Sequence, residues 1–180
     1  MCDRIIPTEV SGEVELLGGA LARELLQARL IANLATFDGD GTIHLVPMWF
    51  LWENGAVLMP TSGTSRKARN VRRDARAAVM IDDSRGGLDV RGITMTGRVE
   101  ILTSDEAART NPRVHGKYLT EAGLELQEVR EALATDDVTL RFLPEQARSW
   151  DLSGHPASRL VLDAGAFEPL VSVHGKPAAE

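Results

Sequence analysis

The order of apolar and polar residues divides the chain into helix-like and strand-like segments. From Glu13 to Arg29 apolar residues recur three and four positions apart, which is the spacing of one face of a helix. Seven further segments alternate or run apolar as strands do: 31–37, 42–52, 56–61, 77–81, 88–102, 137–143 and 147–152. Asp-Gly and Asn-Gly turn signals separate the first three of these segments. The pattern predicts a mainly β, antiparallel barrel with peripheral helices, an α+β fold.

Prolines and glycines predict where the strands break. Pro47 lies inside the second strand, and because proline cannot donate to a ladder, an edge or a bulge is expected there. Gly92 and Gly97 suit bulges or a barrel bend within the longest strand. Pro144 is expected to begin the turn between the last two strands.

The same pattern predicts the remaining helices and the domain boundaries. Ser104 is expected to cap a helix that Asn111-Pro112 interrupts, and residues 114–133 are expected to be largely helical. One domain is predicted. The chain then divides into three parts: a loose lead-in (1–12), the barrel domain (13–152) and a tail or dimer-wrapping arm (153–180).

Composition narrows the classes of function. The chain has 180 residues, a formal net charge of -6 and a single cysteine. An acidic chain argues against general nucleic-acid binding, which needs a basic excess over a whole face. No run of about 20 apolar residues is present to cross a membrane and no signal peptide is recognised, so a cytoplasmic protein is expected. No two histidines have the spacing of metal ligands, so no metal site is expected.

One short segment is strongly basic against this acidic background. Residues 62–74 read SGTSRKARNVRRD, with five basic side chains and one acid. Thr64 or Ser65 is expected to cap a short helix there. A capped helix start offers unpaired N–H groups and the positive end of the helix dipole, and Arg66 and Lys67 add charge, so the segment suits a phosphate. A solvated basic helix face is the other interpretation, and the spacing alone leaves both open.

The residues around this basic segment carry a family resemblance. Residues 35–83 resemble the pyridoxamine 5'-phosphate oxidase-like, FMN-binding split β-barrels, and are most similar to the actinobacterial B-type branch of flavin and deazaflavin oxidoreductases. The shared features are VPMWF at 46–50 and the SRKARN and RRD segments that follow it. The later strands of the family fit residues 91–93, 97–100 and 148–151.

The resemblance implies a homodimer that binds FMN or coenzyme F-420, an 8-hydroxy-5-deazaflavin, in grooves between the subunits. The phosphate would be held by Ser65, Arg66 and Lys67, and the ribityl or phosphate region would contact Thr61 and Ser62. The tricyclic ring would lie along the strand formed by His44, Leu45, Val46, Pro47, Met48 and Trp49. Further candidates for cofactor binding are Asn70, Arg91 and Trp150, of which Trp150 would close the groove.

The resemblance also implies the activity, an oxidoreductase that transfers hydride to or from a small apolar or conjugated substrate. Trp49 and Gly92 stand where the true oxidase has a lysine and a glutamine, so vitamin B6 oxidase activity is not expected. No catalytic side chain is assigned; His115 and Tyr118 are considered as proton sources, with His115 expected on a helix surface. A non-catalytic flavin or deazaflavin carrier and a haem-binding relative are the alternatives.

The choice between the two cofactors depends on the remaining cations of the basic segment. Coenzyme F-420 has an anionic polyglutamate tail. Four arginines could serve that tail or form a solvated face: Arg69, Arg72, Arg73 and Arg76. The VPMWF and KARN pattern favours F-420 over FMN.

Overall fold

The structure is a computed structural model that describes residues 10–12, 17–83, 88 and 90–167. Within these residues the chain forms eight strands and six helices. The strands are β1 Val10–Gly12, β2 Ala32–Phe37, β3 Ile43–Met48, β4 Leu51–Glu53, β5 Ala56–Thr61, β6 Arg76–Asp83, β7 Arg91–Leu102 and β8 Val138–Asp151. The helices are α1 Ala20–Gln27, α2 Arg66–Arg73, α3 Ser104–Tyr118, α4 Glu121–Glu125, α5 Gln127–Leu133 and α6 Pro156–Asp163.

The strands form a single antiparallel sheet whose two ends meet. The hydrogen-bonded order is β3-β2-β6-β7-β8-β5-β4, with β1 beside β8. Strands β3 and β4 are thus the two ends of the sheet, yet only Trp49 and Phe50 separate them along the chain. Because so short a connection spans at most about 11 Å, the sheet has to curl until its ends are neighbours. The fold is therefore a split β-barrel of the α+β class, as the sequence predicts.

The interior of the curled sheet holds the main hydrophobic core. Strand β5 is buried along its whole length, and α1 inserts Leu25 and Leu26 against the strands. The largest fully buried side chains from the sheet and from the β3–β4 connection are Leu34, Phe50, Met59, Ile81, Ile93, Met95, Leu140 and Phe142. Alternate burial along β2 and β6 leaves their other face outside this core. Among the described helices, none is long and apolar enough to cross a membrane.

The predicted turn at Pro144 is wrong, because β8 continues through it as one strand. Pro144 pairs with Gly97, and the register of β7 and β8 shifts between Thr96 and Gly97. A Cβ atom on Gly97 would lie 2.1 Å from the carbonyl oxygen of Leu143. The bulge and the missing side chain therefore make room for the proline inside a paired strand.

The predicted interruption at Asn111-Pro112 is also wrong, because α3 runs through both residues. The amide of Asn111 donates to the carbonyl oxygen of Asp136 at 2.8 Å, which ties this part of the helix to the start of β8. Thr103, rather than Ser104, precedes the helix, and its side chain makes no capping hydrogen bond.

The remaining boundaries follow the predicted elements with local differences. The predicted strand 42–52 is divided into β3 and β4, and β3 is an edge strand, as Pro47 predicts. The helical segment 114–133 is divided among the end of α3, α4 and α5. Residues 10–12 of the predicted lead-in pair with β8, and the predicted tail contains α6. Residues 1–9 and 168–180 lie outside the described part of the chain.

Candidate functional site

The basic segment forms a capped helix that begins directly after a buried strand. Helix α2 starts at Arg66, and the hydroxyl of Ser65 accepts a hydrogen bond from the N–H of Ala68 at 3.3 Å. The hydroxyl of Thr61, at the end of β5, donates to the same Ser65 oxygen at 3.2 Å. Ser65 is thus confirmed as the N-cap. The cap places two hydroxyls and the helix N-terminus, with its positive dipole end, at one point.

The loop between β5 and α2 is fixed from both sides. The N–H of Gly63 donates to the carboxylate of Asp137 at 2.5 Å, and the guanidinium of Arg72 donates to the Gly63 carbonyl oxygen at 2.5 Å. The hydroxyls of Ser62 and Thr64 are bonded to each other at 3.0 Å. A loop that is held in this way is preorganised, so a ligand that binds to it would order few additional groups.

Arg66 is paired with an acid of the β2–β3 turn. Its Nε and one terminal nitrogen donate to the two oxygens of Asp38 at 2.8 and 2.5 Å. Buried Asn70 donates to the same carboxylate at 2.9 Å. The hydrogen bonds from Arg66 first, and then from Asn70, lower the pKa of Asp38 to about 2. The guanidinium is held in a fixed position, and an incoming anion would compete with an ionised carboxylate for it.

Lys67 faces a different side of α2 and lines a cavity of about 310 Å³, which we call cavity A. Burial lowers the pKa of the Lys67 ammonium group, and the nearby carboxylate of Asp136 partly opposes this effect. Cavity A is lined by Pro47, Met48, Trp49, Pro60, Thr61, Lys67, His115, Leu133 and Asp136. Five of these are residues that the sequence assigns to cofactor binding: Pro47, Met48, Trp49, Thr61 and Lys67. The structure therefore brings one end of β3, the end of β5 and the first turn of α2 together around one space.

Cavity A is also lined by His115 and Asp136, which the family resemblance does not assign to cofactor binding. His115, expected on a helix surface, is only 6% exposed, and its Nε2 lies 3.1 Å from a carboxylate oxygen of Asp136. The ring of Trp49 meets His115 edge-on at 6.4 Å and stacks on Tyr118 at 5.0 Å with an angle of 3° between the planes. The hydroxyl of Tyr118 donates to the carbonyl oxygen of Leu30 at 2.7 Å. The stacking on Tyr118 therefore holds the Trp49 ring in place as part of the wall of cavity A.

The edge strand β3 presents its two faces differently. Leu45 is 64% exposed on the outer face of the sheet, whereas His44 and Val46 are partly buried on the other face. Among the described residues, Nδ1 of His44 is the one fully enclosed side-chain nitrogen or oxygen without a hydrogen-bond partner. Such an atom is costly in an apolar environment.

Two predicted site residues lie away from cavity A within the same chain. Arg91 forms ion pairs with Glu24 at 2.9 Å and Asp83 at 3.3 Å. The indole of Trp150 covers Gly92, where an added Cβ atom would lie 2.1 Å from the ring. Both residues pair near the Asp83 end of β6, and that end is about 23 Å from the Arg76 end beside α2. A single chain therefore does not bring Arg91 and Trp150 to the capped helix.

The further arginines of the segment differ in their partners. Arg76 forms an ion pair with Asp74 at 2.6 Å. In the described part of the chain, Arg69, Arg72 and Arg73 donate only to neutral oxygens, namely those of Thr64, Gly63, Phe37 and Asn70. Within the described residues, these three guanidinium groups are therefore not paired with a carboxylate.

Comparison with known proteins gives a consistent result. Residues 20–151 match the family model described as pyridoxamine 5'-phosphate oxidase. No curated protein matches the sequence. The conserved hypothetical protein Rv2991 from Mycobacterium tuberculosis is 28% identical, with a TM-score of 0.60 over 86% of this chain and 91% of that one.

Two further solved structures are similar in fold. An F-420 reductase is 24% identical, with a TM-score of 0.55 over 69% of this chain and 94% of that one. An FAD-binding protein from Mesorhizobium loti is 21% identical, with a TM-score of 0.55 over 80% of this chain and 98% of that one.

Proposed function

We propose that the chain, which belongs to the pyridoxamine 5'-phosphate oxidase family, is an oxidoreductase that uses coenzyme F-420 or FMN. Hydride would pass to or from a small apolar or conjugated substrate. The observation that carries this proposal is the position of five sequence-assigned residues around cavity A, next to a helix start capped by Ser65. A concave site that combines apolar walls with a few convergent polar groups is the usual form of a cofactor site.

The residues present fit an anionic, flat cofactor. Ser65 and Lys67 supply a hydroxyl and an ammonium group for a phosphate, together with the N-terminus of α2, and Thr61 holds the Ser65 hydroxyl in place by donating to its oxygen. Trp49 and Pro47 supply an apolar wall for a ring. When bound, the cofactor would supply the hydride chemistry, and these side chains would bind it, orient it and exclude water.

The exposed outer face of the sheet supports a homodimer. Ile43 is 68% exposed and Leu45 is 64% exposed, and their register partners on β2 are Phe37 and Ala35. A second cavity of about 310 Å³ lies on this face, and most of the surface that lines it is apolar. An apolar area of this kind is typical of an interface, and a second copy of the chain is the occupant that we propose.

The charge of α2 favours F-420 over FMN. The polyglutamate tail of F-420 carries several carboxylates, whereas FMN ends at its phosphate. Arg69, Arg72 and Arg73 have no carboxylate partner within the described residues, so they could neutralise such a tail. Binding of F-420 should therefore weaken more steeply with salt than binding of FMN, because more ion pairs form.

Cofactor titration tests the proposal directly. The purified protein should bind F-420 or FMN, as followed by absorption and fluorescence. In the double variant Arg66→Ala/Lys67→Ala the affinity should fall about a hundredfold or more, because two charged hydrogen-bond donors are lost. The control is Arg23→Ala/Arg109→Ala, which removes the same charge from exposed positions on α1 and α3. Equal cofactor affinity in the parent and in Arg66→Ala/Lys67→Ala would reject the assigned phosphate site.

A turnover assay separates an enzyme from a carrier. Reduced cofactor should be oxidised by members of a panel of quinones and enones in the presence of the protein. Binding without any accelerated oxidation would favour the carrier function over the oxidoreductase.

A further inference from the structure

Lysine is rare in this chain, and one of its lysines lies where α1, α3 and the β3–β4 connection meet. The sequence has three lysines, Lys67, Lys117 and Lys176, against 17 arginines. An arginine stays charged in proteins, whereas a buried lysine can become neutral and then act as a nucleophile. Lys67 belongs to the proposed phosphate site, and Lys176 lies outside the described residues. Lys117, in the last turn of α3, is partly exposed and has no part in the proposed function.

The amine of Lys117 is surrounded mainly by apolar groups. Its Nζ atom lies 3.8 Å from the centre of the fully buried Phe50 ring and 5.6 Å from the centre of the Tyr118 ring. Within the described residues it makes one hydrogen bond, which it donates at 3.5 Å to the carbonyl oxygen of Leu26 in the last turn of α1. An ammonium group has three N–H donors. Two of them therefore have no acceptor in this part of the chain.

No carboxylate among the described residues forms an ion pair with Lys117. The nearest turns of α1 and α3, and strand β4, have acids that are paired with other groups: Glu24 with Arg91, Glu53 with Arg113 and Asp136 with His115. The hydroxyl of Tyr118 donates to the carbonyl oxygen of Leu30. The cation is therefore compensated only by an aromatic face and by the C-terminal end of α1.

The balance of these effects favours the neutral amine. Burial outweighs the aromatic ring and the helix end, and it lowers the pKa of Lys117 to about 8. At pH 7.5 about a quarter of such amines are neutral, against about a thousandth for an ordinary lysine. A partly exposed, neutral amine is the form of lysine that reacts with electrophiles.

We propose that Lys117 is an acylation site whose neutral amine attacks the carbonyl carbon of an acyl phosphate. The N–C bond forms as the bond between that carbon and the phosphate oxygen breaks. The phosphate leaves with the electron pair, and water takes a proton from the nitrogen. The product amide keeps one N–H that can still donate to the Leu26 carbonyl oxygen, and it has no charge to bury. Acylation of Lys117 requires neither the cofactor nor cavity A, so it is independent of the proposed function.

Competition between two lysines on one helix tests the proposal. Arg109→Lys adds a reference lysine at an exposed position of α3, where the arginine makes no hydrogen bond or ion pair within the described residues. This variant is treated with acetyl phosphate at about pH 7.5, and peptide mass spectrometry gives the acetylation rate of each lysine. Lys117 should react about tenfold faster than the introduced lysine, because its larger neutral fraction outweighs its lower basicity and its partial burial. Equal or slower acetylation of Lys117 would overturn the proposal.

Two further measurements show whether the fold activates the amine. The acetylation rate of Lys117 should level off above about pH 9, whereas the rate of the introduced lysine should rise about tenfold per pH unit to about pH 10. In concentrated guanidinium chloride the two lysines should react at the same rate, because neither is enclosed in the unfolded chain. A Lys117 rate that rises in parallel with that of the introduced lysine, or an advantage that persists in the unfolded chain, would overturn the proposal.

Discussion

Asp38 has two opposite effects on the proposed phosphate site. Its carboxylate holds Arg66 in place, and its negative charge also repels an anion at the start of α2. The charge effect is expected to win, because the loop and the cap are fixed by other contacts. Asp38→Asn should therefore bind F-420 or FMN several-fold more tightly at low salt, and the gain should shrink at 0.5 M salt.

The control for this prediction is Asp74→Asn. Asp74 forms the C-cap of α2 and pairs with Arg76. Asp74→Asn therefore removes one negative charge, as Asp38→Asn does, but at the far end of the helix. Weaker cofactor binding in Asp38→Asn than in the parent would mean that orienting Arg66 matters more than charge.

Lys117 gives a pH dependence of stability with a definite sign. Its ammonium group lies 3.8 Å from the centre of the Phe50 ring, and burial lowers its pKa from 10.5 to about 8. Between pH 8 and 10.5 the unfolded chain therefore binds more protons than the folded chain, so this residue makes the free energy of unfolding rise with pH. The free energies of unfolding of the parent and of Lys117→Met can be measured with urea at several values between pH 7 and pH 10. The difference between these two free energies should change over this range by on the order of 1 kcal/mol after allowance for screening. A constant difference over this range would show that the lysine keeps its ordinary pKa in the folded chain.

At the scale of residues, local signals were predictable and distant pairs were not. Ser65 was recognisable as a cap because a hydroxyl residue, the helix start and the bonded N–H all lie within four positions. The burial of His115 depends on Asp136 and Trp49, which reach it through the fold and follow no sequence spacing. The partner of Arg66 lies 28 positions away in what reads as a plain turn.

At the scale of elements, the contact between β7 and β8 makes Gly97 sensitive to any side chain. A Cβ atom there would lie 2.1 Å from the Leu143 oxygen and 3.0 Å from Cα of Pro144, and backbone atoms cannot move aside cheaply. Gly97→Ala should lower the free energy of unfolding by about 2–4 kcal/mol, measured by urea denaturation. Gly116→Ala is the matched control, because nothing lies within 4 Å of its added Cβ on α3 and helix propensity favours alanine by up to about 1 kcal/mol. Equal stability of Gly97→Ala and the parent would mean that the bulge can shift.

The existence of most elements was predictable, and their continuity was not. Alternation and turn residues correctly indicated β2, β5 and the strand character of residues 137–152. The sequence predicts breaks at Pro112 and Pro144, yet both residues lie inside continuous elements. Whether a proline breaks an element depends on the partner it meets, such as the bare backbone of Gly97, and the local sequence does not contain that information.

At the scale of the molecule, the curl of the sheet builds the proposed site. It brings the two ends of the sheet together at Trp49, beside the start of α2 and the residues that precede β8. The same curl leaves the outer face of β2, β3 and β6 without a cover from the described part of the chain, with Ile43, Leu45 and Met80 exposed. One structural cause therefore produces both cavity A and the surface proposed for dimerisation.

The dimer is testable through that surface. Ile43→Lys/Leu45→Lys places two charges on the outer face of an edge strand, where they would be desolvated against a second copy. Sedimentation should show a dimer for the parent and a monomer for this variant, while circular dichroism stays unchanged because both side chains point away from the core. Leu126→Lys/Ala132→Lys is the control, since it adds the same charge at two exposed positions, one just before α5 and one on it, outside the proposed interface. If the cofactor groove requires both subunits, cofactor affinity should fall together with dimerisation. A monomeric parent protein would reject the interface. A monomeric variant that keeps full cofactor affinity would confine the cofactor to cavity A of one chain.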